Sequence, residues 1–258
     1  MAVLTGFSLV ACSNSSQTSS LDSIKSKGKL VIALNPEFAP FEYQTLVDGK
    51  NTIVGSDVDL ANEIAKELGV DIEISPMSFE NVLASVQSGK ADLAISGISK
   101  TEERSKVYDF SEPYYTTTNK LIVKKTDLDK YTSIDSLTGK SIGAQKGTVQ
   151  ENIAKNEFTE SSVVSLSKNG NLITELKSGQ LDAVIFEEPV AKGYVEKNPD
   201  LALADVNFEQ TDADSYAIAM KKGSTELKEA VDKVITKLKS DGKLEAFIQE
   251  AYNKSIEN

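Results

Sequence analysis

Residues 96–104, SGISKTEER, combine residue types that bind an anion. Small hydroxyl residues end a predicted strand, Thr101 is a good N-cap for a following helix, and Arg104 comes within the next turn. Amides at a helix start attract anions, and the planar guanidinium of arginine binds a carboxylate through two parallel hydrogen bonds. The alternative that this pattern leaves open is a solvated helix in which Arg104 pairs with Glu102 or Glu103.

Three other segments place polar residues beside predicted strand ends. QKGTVQEN at 145–152 puts Gly147 and Thr148 between a strand and a helix, where the amides either bind a ligand or form a plain turn. Glu187 follows an apolar strand and lies either at a cleft or in an exposed turn. NPEFAPFEY at 35–43 mixes polar residues with aromatic ones, which pack either in the core or on a ligand.

The composition of the 258 residues limits the function further. The chain has no histidine and one cysteine, which removes the commonest general base, the usual metal ligands and any disulfide within the chain. Acidic residues outnumber basic ones by 39 to 28, and no basic patch interrupts this charge of −11, so nucleic acid is not an expected partner. We expect a binding protein with no metal and no cofactor.

Short apolar runs alternate with amphipathic stretches from Lys29 onward, which predicts an α/β fold with mostly parallel strands. An apolar stripe predicts a helix over 57–68 that ends at Gly69, and two further helical patterns lie at 79–86 and, as one or two long helices, at 227–248. The predicted strands lie at 30–34, 71–75, 93–98, 120–124, 141–145, 162–166, 183–187, 201–206 and 215–220.

An internal similarity bears on the number of lobes. SVQSGKADLAIS at 85–96 and ELKSGQLDAVIF at 175–186 share one frame at an offset of 90 residues: a helix end at glycine, a turn through aspartate and a buried strand. Any helix–glycine–strand turn produces such a frame, which is one interpretation. The other is a pair of α/β lobes of similar construction. Ligands of open parallel sheets bind at the carboxyl ends of strands, where Arg104 and Glu187 follow the two copies.

These segments together resemble the polar amino-acid binding proteins of ABC importers, the bacterial extracellular solute-binding protein family 3. The resemblance covers about 27–254 and rests on FAPFEY (38–43), GSDVDLANEIAKELG (55–69), KADLAISGISKTEERSKVYDFSEPYY (90–115), GAQKGTVQEN (143–152) and LDAVIFEEPVA (181–191). It implies an α/β, two-lobed, type II periplasmic-binding-protein-like fold, each lobe a mostly parallel sheet flanked by helices. Lobe 1 is expected to cover 27–116 and 212–258, lobe 2 to cover 117–211, and hinge strands to lie near 115–119 and 207–212.

The resemblance also implies roles at a ligand site. Arg104 binds the α-carboxylate of an amino acid, with the amides of Ser99 and of Thr148 or Val149. Glu187 takes the α-ammonium together with the Ser99 hydroxyl and a carbonyl of Ser96 or Gly97, and Phe38 packs on the ligand side chain. The residues expected around that side chain are polar: Asn35, Glu37, Glu42, Ser56, Gln145 and Gln150.

Two positions depart from the family pattern. Many relatives have an aromatic residue after Gly55, where this chain has Ser56, and a hydroxyl residue after Thr148, where it has Val149. The first change opens one wall of the pocket and the second leaves only a backbone contact. Asp57 is interpreted as a helix cap rather than as a ligand.

The resulting hypothesis is an extracellular receptor that delivers a polar, basic amino acid, arginine first, to an ABC permease by cleft closure. Nothing obvious supplies a cation for an acidic side chain. We expect a monomer that is not an enzyme. The alternatives are a prephenate- or arogenate-dehydratase-like cleft enzyme, with Glu187 as general acid, and a sensor or adhesin without transport.

The single cysteine has a specific interpretation. Leu-Val-Ala-Cys at 9–12 matches a bacterial lipobox, and the serine-rich stretch after Cys12 is typical of a flexible tether, predicted here over 13–26. Residues 1–12 are therefore expected to be a signal peptide, truncated because it lacks the usual basic start. Lipidated Cys12 would hold the protein on the outer face of the cytoplasmic membrane, as in Gram-positive lipoproteins.

Overall fold

Helices and strands alternate along residues 19–257, the part of the chain that the structure, a computed structural model, describes except for the side chain of Asp212. The helices are α1 Ser20–Lys27, α2 Ser56–Leu68, α3 Phe79–Gln87, α4 Glu102–Val107, α5 Val149–Glu157, α6 Asn169–Ser178, α7 Glu188–Lys197, α8 Thr225–Ser240 and α9 Lys243–Glu257. The strands are β1 Lys29–Leu34, β2 Glu37–Phe38, β3 Glu42–Val47, β4 Lys50–Val54, β5 Asp71–Pro76, β6 Leu93–Ala94, β7 Tyr108–Phe110, β8 Tyr115–Thr116, β9 Asn119–Lys124, β10 Ser141–Gln145, β11 Ser162–Leu166, β12 Ala183–Glu187, β13 Leu201–Ala204, β14 Ser215–Tyr216 and β15 Ala219–Lys221.

Two five-stranded sheets form the centres of the two halves. The first has the order β5-β1-β6-β15-β7 and the second the order β11-β10-β12-β9-β13. The strands of the first sheet therefore come from 29–110 and 219–221, and those of the second come from 119–204. This division agrees with two lobes, while their end points at 116/117 and 211/212 remain predictions.

Both sheets are mostly parallel, as predicted, but each is mixed, because one of its five strands runs opposite to the other four. In the first, β1 runs parallel to β5 and β6, but β15 is antiparallel to β6 and β7. In the second, β10 runs parallel to β11 and β12, but β9 is antiparallel to β12 and β13. Strands β15 and β9 follow the segments that join the halves, so they enter their sheets from the opposite end to the other central strands.

The segments between the two halves also differ in part from the prediction. Strand β8 pairs antiparallel with β14, through Thr116 with Ser215 and Tyr115 with Tyr216. The predicted second hinge strand at 207–212 is wrong: residues 205–211 have no regular structure, and the pairing begins only at Ser215. Asp214 accounts for the shift, because its carboxylate binds Thr211 and Asn119 and so completes a turn just before the strand.

Apolar stripes on the helices bury against the sheets. On α2 the buried residues include Leu60, Ile64 and Leu68, which recur every four residues, and Gly69 ends the helix with φ 70°. Ile32 of β1 and Val184 of β12 belong to one continuous core, so the two halves share apolar packing beside the hinge. Burial of this kind contributes roughly 25 cal/mol per Å² of apolar surface.

The repeated segments at 85–96 and 175–186 have the same structure. Asp92 accepts a hydrogen bond from the Val31 amide at 2.7 Å, and Asp182 accepts one from the Ser141 amide at 2.9 Å. In each half an aspartate in the turn after a helix thus binds the start of the central parallel strand, β1 or β10. This match supports the interpretation of two halves built in the same way.

The prediction of a flexible tether over 13–26 is wrong for its last seven residues. Residues 20–26 belong to α1, which begins at the N-cap Ser19 and buries Ile24 completely. Ser20 also bonds Ser224 across 2.9 Å, so apolar packing and a polar contact together fix the helix. Cys12 and the predicted signal peptide lie outside the described residues. Among residues 19–257, no helix is long and apolar enough to cross a membrane.

Candidate ligand-binding site

A narrow cavity lies between the two halves, at the carboxyl ends of strands from both sheets. Strand β10 ends at Gln145, strand β12 ends at Glu187, and Gly97 follows β6. Nine of the fourteen residues predicted to bind ligand line it: Phe38, Gly97, Ser99, Arg104, Gln145, Thr148, Val149, Gln150 and Glu187.

Arg104 projects from the short helix α4 toward the cavity. The Thr101 hydroxyl accepts the Arg104 amide at 3.1 Å, as predicted for an N-cap, and the guanidinium donates to the carbonyls of Ser99 at 2.9 Å and of Gly147 at 3.1 Å. It therefore bridges the two halves. Burial lowers the pKa of Arg104, against the raising effect of the Glu187 charge. This geometry differs from the solvated alternative: the guanidinium bonds the two carbonyls, and among the described residues Arg104 has no ion pair with Glu102 or Glu103.

Glu187 is the carboxylate of the cavity. It ends β12 and is only 5% exposed. Burial raises its pKa to about 7, although the charge of Arg104 acts in the opposite direction. A carboxylate so poorly solvated near neutral pH is a strong partner for a cationic group.

The start of α5 forms the wall opposite Arg104. The Thr148 hydroxyl donates to the Gln145 carbonyl at 2.6 Å and accepts the Glu151 amide at 3.2 Å, so Thr148 caps the helix. Gly147 has φ 83°, and a Cβ there would lie 3.2 Å from the Cα of Glu80 in the other half. The close approach and the backbone conformation together require glycine.

An aromatic wall closes the cavity on the first half. The Phe38 ring lies over Gly97, where a Cβ would come within 2.5 Å of it. Phe38 stacks on Phe41 with ring centroids 5.6 Å apart, and Tyr216 meets both rings. These contacts fix the orientation of Phe38, as its predicted packing role requires.

Asn35 and Ser96 lie behind this wall and connect it to the second half. The Gln145 side-chain amide donates to Asn35 Oδ1 at 3.0 Å across the cleft, and the Asn35 backbone amide donates to Ser96 Oγ at 3.0 Å. Ser96 in turn donates to Glu42 Oε1 at 2.5 Å. A chain of hydrogen bonds thus runs from the second half to Glu42.

Glu42 and Asp57 form a buried carboxyl pair. They are 0% and 1% exposed, and they contact the adjacent residues Ser96 and Gly97. Burial raises the pKa of Glu42 well above its ordinary value and that of Asp57 to about 6, even though Asp57 accepts hydrogen bonds from Tyr114 at 2.7 Å and from the Gly97 amide at 3.1 Å. Within residues 19–257 neither carboxylate forms an ion pair with lysine or arginine.

Three sequence-based interpretations differ from this arrangement. Asp57 caps nothing, because Gly55 is the N-cap of α2 and no side chain caps that helix. Glu37 lies away from the cavity, where its carboxylate accepts the Asn169 amide at 3.0 Å at the start of α6. The Ser56 hydroxyl is buried, and no donor or acceptor contacts it among the described residues.

Sequence reasoning missed three apolar residues of the cavity wall. Phe79 opens α3 directly after β5, and Ile185 and Phe186 precede Glu187 on β12. Phe79 could have been predicted from its position: it follows β5 at the same edge of the first sheet at which Asn35 follows β1. Within residues 19–257, no group of three metal-ligating side chains is placed to hold an ion.

The fold and the site define a class of protein: a two-lobed α/β receptor that encloses a small polar ligand between its halves. A family comparison agrees, since residues 30–254 match the model of "Bacterial extracellular solute-binding proteins, family 3". The chain belongs to this family of extracellular proteins, as its sequence motifs predicted.

Named relatives and solved structures support the assignment. The chain is 36% identical to the "Arginine-binding extracellular protein ArtP" of Bacillus subtilis, with 93% of this chain and 90% of that protein aligned. An amino acid ABC transporter substrate-binding protein, AbpA from Streptococcus pneumoniae bound to L-arginine, is 70% identical, with a TM-score of 0.90 over 92% of this chain and all of that one. A reconstructed ancestral amino-acid-binding protein, described as a precursor of cyclohexadienyl dehydratase, is 30% identical, with a TM-score of 0.83 over 91% of this chain and all of that one.

Proposed function

We propose that this protein binds free L-arginine in the cavity and delivers it to the permease of an ABC importer. Arg104 binds the α-carboxylate, with the amides of Ser99 and of Thr148 or Val149. Glu187 binds the α-ammonium, helped by the Ser99 hydroxyl and a carbonyl of Ser96 or Gly97. Arg104 and Glu187 come from different halves, so a bound amino acid would link the halves and stabilise the closed form.

The buried charges favour a cationic side chain, and this is the observation that carries the proposal. Around the cavity, Arg104 is the one cation among the described residues, against the three carboxyl groups of Glu187, Glu42 and Asp57. The head group of an amino acid is a zwitterion, so its binding to Arg104 and Glu187 leaves the net charge around the cavity unchanged. A basic side chain would bring a positive charge toward these carboxyl groups, which burial otherwise biases toward their neutral forms.

Polar contacts alone supply enough binding energy. Micromolar affinity requires roughly 8 kcal/mol, and a hydrogen bond to a charged group contributes about 1.5–3 kcal/mol. Three or four such bonds at the head group suffice, even after part of the energy is used to close the lobes. The arginine-bound protein that is 70% identical over nearly this whole chain supports arginine over other basic amino acids.

Calorimetric titration with the twenty amino acids tests the ligand. We expect arginine to bind most tightly, lysine and histidine more weakly, and citrulline, the neutral isostere of arginine, far more weakly. Tight glutamine or cystine binding without arginine binding would refute the proposal.

The proposal extends to the oligomeric state of the protein, its place at the membrane and its lack of catalytic activity. The protein acts as a monomer, held at the membrane by lipidated Cys12, and it is not an enzyme. Metabolic labelling with a fatty acid tests the anchor, with loss of label expected in a Cys12→Ala variant. Incubation with prephenate tests catalysis: Glu187 has a raised pKa suited to a general acid, so any turnover would favour the dehydratase-like alternative.

A further inference from the structure

Residues 167–169, which lead into helix α6, are held by two glutamates of the first half. The Ser167 hydroxyl donates to Glu80 Oε1 at 2.9 Å, and the Asn169 amide donates to Glu37 Oε2 at 3.0 Å. The side-chain amide of Asn169 also donates to the Glu37 carbonyl at 3.1 Å. All three hydrogen bonds cross from one half to the other, and we name them together the 167–169 clamp.

Glu37 gives α6 a carboxylate that this helix lacks in its own sequence. Each of the other eight α-helices within residues 19–257 has an acidic residue in its first turn, whereas α6 has none, and its N-cap Lys168 forms no side-chain capping bond. A carboxylate at a helix start accepts an unpaired amide and interacts favourably with the helix dipole. Asn169 is fully buried, so solvent does not replace this acceptor.

The clamp lies next to the ligand cavity without forming part of its lining. Gln145 lines the cavity, and its side-chain amide donates both to the Ser167 carbonyl at 3.2 Å and to Asn35 Oδ1 at 3.0 Å. Glu37 and Glu80 do not line the cavity, and among the described residues neither forms an ion pair with lysine or arginine. Their carboxylates therefore act on the second half rather than on the ligand.

We propose that Glu37 is a positioning residue, which stabilises the closed form by capping α6 across the cleft, with Glu80 supporting the same clamp. The inference rests on the proposed function, since it requires that the two halves close on a ligand. Contacts between the halves exist only while the halves are together, so they raise the population of the closed form. The apparent affinity rises with that population by the same factor for every ligand that the closed form encloses.

Glu37→Ala tests the clamp through calorimetric titration and stopped-flow kinetics with arginine. We expect the affinity to fall about 3- to 30-fold, as for the loss of a helix cap, and the change to appear as faster dissociation. Citrulline, whose side chain is neutral, should lose affinity by the same factor. Unchanged arginine affinity would overturn the inference. So would a larger loss for arginine than for citrulline, since Glu37 would then bind the cationic side chain directly.

Asn169→Pro tests whether Glu37 acts through the helix amide. Asn169 is the first residue of α6, a position that tolerates proline, and proline has no amide to donate to Glu37. In the Asn169→Pro background, the further change Glu37→Ala should lower arginine affinity by less than about twofold. An equal effect of Glu37→Ala in both backgrounds would contradict a cap across the cleft.

Glu226→Ala is the matched control. Glu226 lies in the first turn of α8 and is exposed, so its removal weakens a helix start to the same extent in the open and closed forms. Arginine affinity should therefore stay within about twofold of that of the unmodified protein. A loss as large as that of Glu37→Ala would show that any weakened helix start lowers affinity, which would overturn the inference.

The unmodified protein separates this inference from the proposed function. If it binds an amino acid other than arginine, the proposed ligand is wrong, and the same variants measure the clamp with the amino acid that binds. If it binds none of the twenty amino acids, the proposed function and the inference are both overturned.

Discussion

The two ends of the cavity handle charge in opposite ways. At one end Arg104 and Glu187 carry opposite charges, come from different halves and line the cavity directly. At the other end Glu42 and Asp57 carry the same charge, come from one half and lie behind the Phe38–Gly97 wall. The first end suits the head group of any amino acid. The second end holds two buried acidic groups, and burial raises the pKa of both.

Loss of the guanidinium at the first end should have the largest effect. In Arg104→Ala the ligand carboxylate loses two charge-assisted hydrogen bonds, each contributing about 1.5–3 kcal/mol. We expect arginine affinity to fall by at least about a hundredfold in calorimetric titration. Retained affinity would mean that the carboxylate binds elsewhere.

The fold should survive this change. Among the described residues, the Arg104 side chain bonds to two backbone carbonyls, those of Ser99 and Gly147, so thermal unfolding should shift by less than about 5 °C. Lys106→Ala, on the exposed side of the same helix, is the matched control and should bind arginine normally.

Glu187→Gln should have the next largest effect. The ammonium partner loses its charge, so affinity falls about 10- to 100-fold at pH 8. In the unmodified protein, affinity should decline as the pH falls below about 7, because protonated Glu187 no longer attracts the ammonium. Titrations at several pH values check both statements. A variant with an unchanged pH profile would show that Glu187 does not bind the ammonium.

The stability of the unliganded protein should move in the opposite direction to its affinity. The folded-state pKa of Glu187 lies above the ordinary value of 4.5, so folding takes up a proton and stability rises as the pH falls from above 7 toward 4.5. Glu187→Gln removes this contribution and should stabilise the protein at pH 8 by about 1–3 kcal/mol. Chemical denaturation at pH 5 and 8 measures the difference.

Ser56→Ala, near the carboxyl pair, should have the smallest effect. The Ser56 hydroxyl is buried without a partner, so its removal should change arginine affinity less than about threefold and leave stability equal or slightly higher. Ser96→Ala is the informative contrast, since that hydroxyl bonds both Glu42 and the Asn35 amide. A tenfold loss of arginine affinity in Ser56→Ala would instead support the prediction from sequence that Ser56 contacts the ligand.

Local signals predicted most of the fold and the head-group end of the site. Arg104 and Glu187 each follow a strand that hydrophobic pattern identifies, and the matching turns at Asp92 and Asp182 mark the two halves. Predicted and observed strands agree closely at β10, β11 and β12. The direction of β9 and β15 depends on how the chain crosses between the halves, which no local pattern records.

Asp57 and Glu37 show what sequence could not reveal. An acidic residue in the first turn of a helix normally favours capping, but the φ of 128° at Gly55 redirects the chain. The Asp57 side chain then meets Tyr114, 57 residues later. Glu37 likewise binds Asn169 at a separation of 132 residues. Both partners are distant in sequence. The local pattern around a polar residue at a strand end therefore does not indicate which distant residue its side chain will contact.

The aromatic cluster behind Phe38 gives the protein an intrinsic optical probe. The chain contains no tryptophan and eight tyrosines, so tyrosine emission dominates its fluorescence. Three of these, Tyr114, Tyr115 and Tyr216, pack together beside the hinge strands, and Tyr216 touches the Phe38 ring that lines the cavity. Ligand entry and lobe movement therefore act on the same few fluorophores, and occupancy can be followed without a dye or an introduced label.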